Sequence, residues 1–269
     1  MTLTVLTYNT LFAGRDGDED RRSQQQIKLI SSVRPDVFLM QEAKGLERDG
    51  AVGLYALEAR IGMRGFLAVA PRTGQNVAIF IREPLRALSF DADGTNFHHA
   101  MAALKVQLPQ SGKLLTLFCV HLCPNGPAVR RREAAYLTVH AAAESFSLVA
   151  GDFNSASPHD PEPIGFAELP PHHRSRYLAE DLVSPDHSVL AGLEAAGWAD
   201  LGNLLDDARV PTVPTAAFVG TEFSSMRCDY VLASRALAAK ARRYEVIRSP
   251  LTDAASDHYP VMVKFDLPL

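Results

Sequence analysis

Polar side chains that can bind cations or move protons recur along this sequence directly beside short apolar segments. Each of five clusters is expected to follow a strand, where sheet proteins commonly present functional groups. The clusters are Tyr8-Asn9, Gln41-Glu42, His121, Asp152-Phe153-Asn154, and Asp229 together with Asp257-His258. Carboxylates, amides and imidazoles suit two tasks, the binding of a hard divalent cation and the transfer of protons.

Asn9, Glu42 and Asp257 are the candidate cation ligands. They supply one amide oxygen and two carboxylates, and hard cations prefer oxygen ligands. Such a partial shell leaves coordination positions for water and for phosphate oxygens. A cation held in this way polarises a phosphoryl oxygen and stabilises the leaving oxyanion. These residues therefore predict a Mg²⁺ or Mn²⁺ site that acts on phosphate esters.

His121 and His258 are the candidate imidazoles. Both can donate hydrogen bonds to phosphate oxygens, and a neutral imidazole can accept a proton near pH 7. Asp229 is suited to hold one imidazole in the correct tautomer, as the third member of a catalytic triad does. Each motif alone has an ordinary explanation as a turn, a solvent-facing pair or a cap. Their combination in this order is far more specific.

The elements that must position these residues begin with a strand at 2–8, a loop, a helix at 21–33 that stops before Pro35, and a strand at 36–40. The remaining predicted strands are 65–70, 76–81, 85–90, 100–108, 114–122, 147–150, 228–233, 243–247 and 260–265. Further helices are predicted at 51–61, 127–146 and 189–196. The mixture favours two mixed sheets packed face to face with helices outside.

A proline-rich stretch at 155–187 interrupts this pattern. We expect a long surface excursion with one short helix near 174–181. The strands on either side look buried, so the stretch is interpreted as a loop and not as a domain boundary. One domain over residues 1–269 is the resulting expectation.

Composition restricts the class of protein. Hydrophobic residues make up 47% of the 269 positions, which is enough for a sizeable core. The formal net charge of -4 argues against tight, sequence-independent binding of duplexes. The three cysteines, at 119, 123 and 228, are an odd and small number, which does not indicate a disulfide framework. Without a signal peptide or a membrane anchor, a cytoplasmic monomer is expected.

Several other residues have competing interpretations. Arg130, Arg131 and Arg132 follow the His121 loop, and a solvated helix face is favoured over a phosphate contact. His98 and His99 are interpreted as turn residues in preference to cleft residues.

Three aromatic residues are weighed in the same way. Trp198 is expected in the core. Phe218 and Phe223 flank Gly220 in a loop before Asp229, where a stacking contact with substrate is the less favoured alternative.

Together, six motifs resemble the endonuclease/exonuclease/phosphatase superfamily. They are Leu6-Thr7-Tyr8-Asn9, Gln41-Glu42, Val120-His121-Leu122, Gly151-Asp152-Phe153-Asn154, Arg227-Cys228-Asp229-Tyr230 and Ser256-Asp257-His258-Tyr259-Pro260-Val261. The resemblance covers essentially the whole chain. It implies a DNase I-like four-layer α/β sandwich whose active site lies where the loops of the two sheets meet.

The resemblance also implies a role for each matched residue. Glu42 resembles the principal Mg²⁺ ligand, with Asn9 and Asp257 as its partners. Asp152 and Asn154 resemble the pair that positions or activates water and contacts the phosphate.

The matched imidazoles complete this set. His258 with Asp229 looks like the family's His–Asp dyad, and His121 stands where the family places a phosphate-binding His or Tyr. The general base is either Asp152 or His258. Asp152 is preferred, with His258 protonated and stabilising the transition state.

Three functions follow as hypotheses. The favoured one is a nuclease-like phosphodiesterase acting on DNA, RNA or nucleotide esters. The alternative is a phosphoesterase acting on a lipid or inositol-phosphate head group. A catalytically silent binding module is disfavoured because no ligand position of the family pattern is missing.

Overall fold

The computed structural model describes residues 2–206, 208–220 and 222–267, so positions 1, 207, 221, 268 and 269 of the expected domain lie outside it. The strands are β1 (Leu3–Asn9), β2 (Val37–Gln41), β3 (Arg64–Ala68), β4 (Val77–Ile81), β5 (Arg86–Asp93), β6 (Met101–Gln107), β7 (Leu114–His121), β8 (Phe146–Asp152), β9 (Ala199–Asp200), β10 (Asp229–Ala233), β11 (Ala241–Val246) and β12 (Val261–Phe265). The helices are α1 (Arg21–Val33), α2 (Arg48–Ile61), α3 (Pro127–Thr138), α4 (Pro171–Arg174), α5 (Ser188–Ala195), α6 (Leu201–Leu205) and α7 (Arg235–Ala238). Two 3₁₀ turns lie at Phe12–Gly14 and Ala216–Phe218.

The strands form two mixed six-stranded sheets. The first has the order β11-β12-β1-β2-β4-β3 and the second β5-β6-β7-β8-β10-β9. Each sheet contains one parallel pair joined through a crossover helix, β1–α1–β2 in the first and β7–α3–β8 in the second. Parallel strands end at the same edge of a sheet, so each pair presents two strand ends together.

Three apolar layers hold the sandwich together. The largest lies between the inner faces of the two sheets and includes Val5, Leu39, Leu117 and Val231. A second packs α1 and α2 on the outer face of the first sheet, and a third packs α3 and α5 on the second. The order helix, sheet, sheet, helix confirms the predicted four-layer α/β architecture.

Helix α1 has the predicted bounds. Its buried face includes Leu29 and Ile30, one turn apart from the polar Gln26. The helix ends at Val33, and the next residue, Arg34, adopts a left-handed conformation in which its N–H donates to the Ile30 carbonyl oxygen. Pro35 follows and cannot continue a helix.

Two predicted helices were wrong in extent. Helix α3 stops at Thr138 instead of residue 146, because Phe146 is needed as the first residue of β8, paired with Leu115. In the proline-rich excursion the short helix lies at Pro171–Arg174, earlier than 174–181. The short elements β9, α6 and α7 carry too few apolar positions for a periodic signal, and the sequence did not predict them.

The predictions for the cysteines and for Trp198 are consistent with the structure. All three cysteines are buried and unpaired. The Trp198 ring is buried, and its indole N–H donates to the Leu137 carbonyl oxygen at 3.0 Å. Within the described ranges, none of the helices combines the length and the apolar character needed to cross a bilayer.

Candidate active site

The predicted residues meet at one edge of the sandwich, where the two parallel pairs end. Asn9 is the last residue of β1, and it is paired in register with Gln41, the last residue of β2. His121 and Asp152 end β7 and β8 and are also paired with each other. Glu42 follows β2 directly. The topology therefore brings strand ends from both sheets to one place.

Two clusters reach this edge from the opposite direction. Asp229 was expected to follow a strand. Instead it is the first residue of β10, where it is paired with Asp152. Because β10 runs antiparallel to β8, the start of β10 lies beside the end of β8. Asp257 and His258 likewise precede β12 and do not follow a strand.

A chain of short contacts links the two sheets through these residues. His258 Nδ1 lies 2.8 Å from Asp229 Oδ2, and its Nε2 lies 3.6 Å from Asp152 Oδ2. The Asn9 amide nitrogen donates to Asp152 Oδ2 at 3.0 Å and to Glu42 Oε1 at 3.3 Å. All five side chains are buried. Asp152 Oδ2 also lies 3.4 Å from Nε2 of the predicted His121.

Left-handed backbone conformations hold one end of this chain. Glu42 has φ 56°, and Leu11, Phe12 and Ala13 form a run with φ 45°, 60° and 57°. Non-glycine residues rarely adopt such angles, and they persist where surrounding contacts require them. Here the run lets Phe12 N–H donate to Glu42 Oε2 at 3.2 Å, which fixes that carboxylate.

Asn154 is held at the other end in the same way. Its φ is 47°, its N–H donates to Asp152 Oδ1 at 2.8 Å, and its side-chain amide donates to the Leu122 carbonyl oxygen at 3.0 Å. The residue thus orients Asp152 and ties it to the loop after β7.

Gly151 allows the two strands to approach closely beside Asp152. Its φ is 147°, and a Cβ at this position would lie 1.9 Å from the Val120 carbonyl oxygen and 3.1 Å from Gln41 Nε2. Any side chain here would push the Asp152 strand away from its neighbours.

The site concentrates negative charge in a buried volume. Burial, together with the neighbouring Asp257 carboxylate, raises the pKa of Glu42 to about 7. Burial also raises the pKa of Asp152 well above its usual range. For His258, burial alone would lower the pKa, but nearby carboxylates, led by Asp229, outweigh it and hold the pKa well above the usual value. A bound cation would relieve this repulsion.

Two sets of groups could hold such a cation. Glu42 and Asp257 are both buried, the Asp257 carboxylate lies close enough to raise the pKa of Glu42, and both residues belong to the predicted set. Ligand atoms of Asp152, Asp229 and His258 also lie within 4.8 Å of one another. The predicted ligand Asn9 presents its nitrogen to the carboxylates, while its oxygen accepts from Leu11 N–H at 3.2 Å.

Helix α1 supports the site through two residues that the sequence did not single out. Gln26 donates from its side-chain amide to the carbonyl oxygens of Thr10 and Ala255, both at 2.8 Å. The buried Arg22 donates to the Leu11 carbonyl oxygen at 2.9 Å and pairs with Asp16. These bonds hold the loops that follow Asn9 and precede Asp257. The feature of the sequence that could have indicated this role is the presence of two polar residues on the face of α1 that also carries Leu29 and Ile30.

His99 lies in a bend, in agreement with its interpretation as a turn residue, but its side chain also stacks on His121 of the candidate site. It is buried, its ring centroid lies 4.2 Å from that of His121, and its Nδ1 lies 2.9 Å from the Thr73 hydroxyl. Burial, with a contribution from His98, lowers the pKa of His99 to about 3. A neutral imidazole therefore packs against His121.

Arg130 also differs from its predicted role. It is fully buried instead of lying on a solvated helix face, although Arg131 and Arg132 do lie there. Its guanidinium donates to Ser155 Oγ at 2.9 Å and to the carbonyl oxygens of Cys123 and Arg176. The residue ties the excursion to the loop after β7.

Arg227 provides a second buried anchor. It pairs with Asp160 at 2.8 Å and with Asp200 at 2.6 Å, and all three side chains are buried or nearly so. Gly202 makes room for it, since a Cβ there would lie 2.0 Å from Arg227 Nη1. Asp229 follows Arg227 by two residues, so this anchor lies directly before the dyad.

Phe223 packs edge-on against the ring of His258, with centroids 5.3 Å apart. The ring is half-buried. This places one of the two loop aromatics beside the dyad.

Solved structures share this fold at low sequence identity, among them the following three. An AP endonuclease from Archaeoglobus fulgidus has a TM-score of 0.70 and 21% identity, over 98% of this chain and 99% of that chain. TDP2 from D. rerio, complexed with single-strand DNA product, has a TM-score of 0.69 and 17% identity, over 98% and 99%. A mannosyl-6-phosphatase from Bacteroides thetaiotaomicron has a TM-score of 0.67 and 16% identity, over 97% and 98%.

No curated protein matches this sequence. A family model, described as the Endonuclease/Exonuclease/phosphatase family, matches residues 6–258, a range that includes all eight predicted site residues. The chain therefore belongs to the endonuclease/exonuclease/phosphatase family, whose members are phosphoester hydrolases.

Proposed function

We propose that this protein is a Mg²⁺- or Mn²⁺-dependent phosphodiesterase that hydrolyses nucleic acid or nucleotide esters. The observation that carries the proposal is the buried chain of contacts from Glu42 through Asn9, Asp152 and His258 to Asp229. It combines a carboxylate site for a cation with an ordered proton-transfer network in one buried cluster.

Glu42 and Asp257 would hold the cation, which supplies polarisation of a phosphoryl oxygen and stabilisation of the leaving oxyanion. The raised pKa of Glu42 supports this assignment, because a buried carboxylate pair needs a cation to remain ionised. Asn9 positions Glu42 through its amide nitrogen, and its amide oxygen, which accepts one hydrogen bond from Leu11 N–H, keeps a second lone pair for the cation.

Asp152 is the proposed general base. Its pKa is raised, and Asn154 N–H holds one carboxylate oxygen while the other faces the two imidazoles. His258 stays protonated beside Asp229 and donates from Nε2 to the charge that develops on the phosphate. His121 donates a further hydrogen bond to the same group.

The preference for nucleotide substrates has two supports. Phe223 offers an aromatic ring next to His258, and bases stack on such rings. Two structures of the same fold are named as an AP endonuclease and as TDP2 with a DNA product. The alternative, a lipid, inositol or sugar phosphate head group, draws support from the mannosyl-6-phosphatase.

A substrate panel tests the proposal. Bis-p-nitrophenyl phosphate, p-nitrophenyl phosphate, single-stranded and duplex DNA and a sphingomyelin analogue are incubated with Mg²⁺, Mn²⁺ or EDTA. Metal-dependent cleavage of the diester or of DNA is expected. Activity confined to the monoester or to the lipid would move the substrate to the alternative class, and no turnover with either metal would contradict the proposal.

A further inference from the structure

A groove of about 480 Å³ opens beside the Glu42 end of the candidate active site. Its walls include Phe12, Arg15, Lys44, Arg48 and Val52. This volume falls within the range of small-molecule sites, roughly 300–1,000 Å³. None of the motifs or catalytic roles described above accounts for it.

The groove is joined to Glu42 by short backbone contacts. Phe12 N–H donates to Glu42 Oε2 at 3.2 Å, and Lys44 N–H donates to the Glu42 carbonyl oxygen at 2.7 Å. A molecule in the groove would therefore contact two residues that are hydrogen-bonded directly to the proposed cation ligand.

Phe12 is partly exposed to solvent, and its backbone adopts a left-handed conformation that is energetically unfavourable for a non-glycine residue. It stands in the middle of the left-handed run from Leu11 to Ala13, and its side chain is 36% exposed whereas Ala13 is buried. An exposed aromatic ring gains little from folding, and backbone strain of this kind clusters at ligand sites. The Lys44 ammonium lies 4.5 Å from the centroid of the ring.

The cations of the groove are available for an anion. In the part of the chain that the structure describes, neither Arg15 nor Lys44 has a carboxylate within salt-bridge distance, and Arg48 has only a 3.9 Å contact with Glu47. Two acidic residues also reach the groove, so three cations face two carboxylates, those of Asp18 and Asp49. The surface combines an aromatic ring with a local positive excess, although the whole chain carries -4.

We propose that this groove binds one nucleotide unit of the substrate, adjacent to the ester that is cleaved. The base packs on Phe12, and the adjoining phosphate binds Lys44 and Arg15. A head group without a flat ring would leave Phe12 exposed. The proposal rests on the proposed function, since the same site must cleave the neighbouring ester.

Matched substrates measure the contribution of the base. Thymidine 5′-p-nitrophenyl phosphate, its 3′ isomer and methyl p-nitrophenyl phosphate share one leaving group and differ in the nucleoside. The readout is the ratio of kcat/KM for each nucleoside ester to that for the methyl ester. Phe12→Ala is expected to lower this ratio about fivefold to tenfold for one isomer, and Phe12→Trp to preserve it.

Tyr136→Ala is the matched control, because Tyr136 is an exposed aromatic on α3, in the other half of the sandwich. It should leave both ratios at their wild-type values. If the wild type cleaves all three esters and Phe12→Ala changes neither ratio, the groove does not bind the base and the proposal is overturned.

A binding measurement separates this result from failure of the proposed function. Fluorescence anisotropy of a labelled six-nucleotide single-stranded DNA is recorded with wild type, Phe12→Ala and Lys44→Gln. Both variants should weaken binding, and Lys44→Gln should also reduce its salt dependence. A wild type that cleaves no ester but shows these losses would contradict the hydrolase assignment alone. Binding equal in all three proteins would overturn the groove assignment.

Discussion

His258 Nδ1 lies 2.8 Å from Asp229 Oδ2, and the two residues approach from different sheets. The other oxygen of Asp229 is buried and has no hydrogen-bond partner among the described residues. The carboxylate is therefore committed to one imidazole nitrogen. This fixes the ring so that Nε2 points toward Asp152, where the reacting phosphate is proposed to bind.

Asp229→Asn tests the contribution of the Asp229 charge to catalysis, because asparagine has nearly the same size and shape but no charge. The amide keeps the volume but can donate to Nδ1, which favours the wrong tautomer and removes the stabilisation of the protonated ring. By analogy with catalytic triads, kcat/KM should fall about 10²- to 10⁴-fold. The measurement is the pH–rate profile on the best substrate of the panel. Asp266→Asn, at an exposed surface pair, is the control, and matching profiles for both variants would contradict the dyad.

Glu42→Ala should abolish turnover and leave the fold intact. The side chain is buried but belongs to no apolar cluster, so its loss removes a cation ligand without opening the core. Cation binding by calorimetry and thermal melting should show lost binding with little change in Tm. Glu180→Gln, at an exposed position, should bind the cation as wild type does. Wild-type turnover in Glu42→Ala would exclude the metal assignment.

Cation binding should depend on pH through Glu42. Without a cation its pKa is about 7, and the bound form needs the ionised carboxylate. Below pH 7 the cation must displace this proton, so the apparent affinity should rise with pH, about tenfold per unit, and level off above pH 7. Calorimetry at pH 6 in buffers of different ionisation enthalpy reports the released proton. Equal affinity at pH 5.5 and pH 7.5 would argue against this carboxylate as a ligand.

Arg227→Met should destabilise the protein strongly. The substitution leaves the buried carboxylates of Asp160 and Asp200 unpaired, a change that typically costs about 3–5 kcal/mol. Urea denaturation measures the difference in the free energy of unfolding. The matched variant Arg242→Met removes an exposed pair and should change stability by about 0.5 kcal/mol or less. Comparable losses in both variants would mean that burial of the Arg227 pair does not matter.

The sequence predicts those parts of the fold that depend on local pattern. Helix α1 has its predicted bounds because apolar spacing and Pro35 both act within a few residues. The end of α3 was missed because the alanine-rich stretch after Thr138 has high helix propensity, while the pairing of Phe146 with Leu115 depends on a distant strand. Tertiary pairing overrides local propensity there.

The candidate site shows the same division. Its carboxylates and imidazoles carry recognisable residue types, and the structure brings them together. The residues that hold the site in place are not recognisable by type. Arg130, for example, donates to the backbone carbonyl oxygens of Cys123 and Arg176, and any residue can supply a carbonyl. The stacking of His99 on His121 was not favoured from the sequence because the two residues lie 22 positions apart. Such contacts exist only once the sheets have formed.

The two buried arginines have a consequence for how this molecule can change over time. Arg227 fixes the excursion at Asp160, and Arg130 fixes it at the backbone of Arg176. The fifteen residues between these anchors are also bridged to the loop before Asp229, where Ile164 pairs with Ser225. Changes in their length or sequence that keep these three attachments are therefore expected to leave the strand ends in place. Variation within this segment is therefore expected to alter the outer surface of the protein more than the positions of its catalytic side chains.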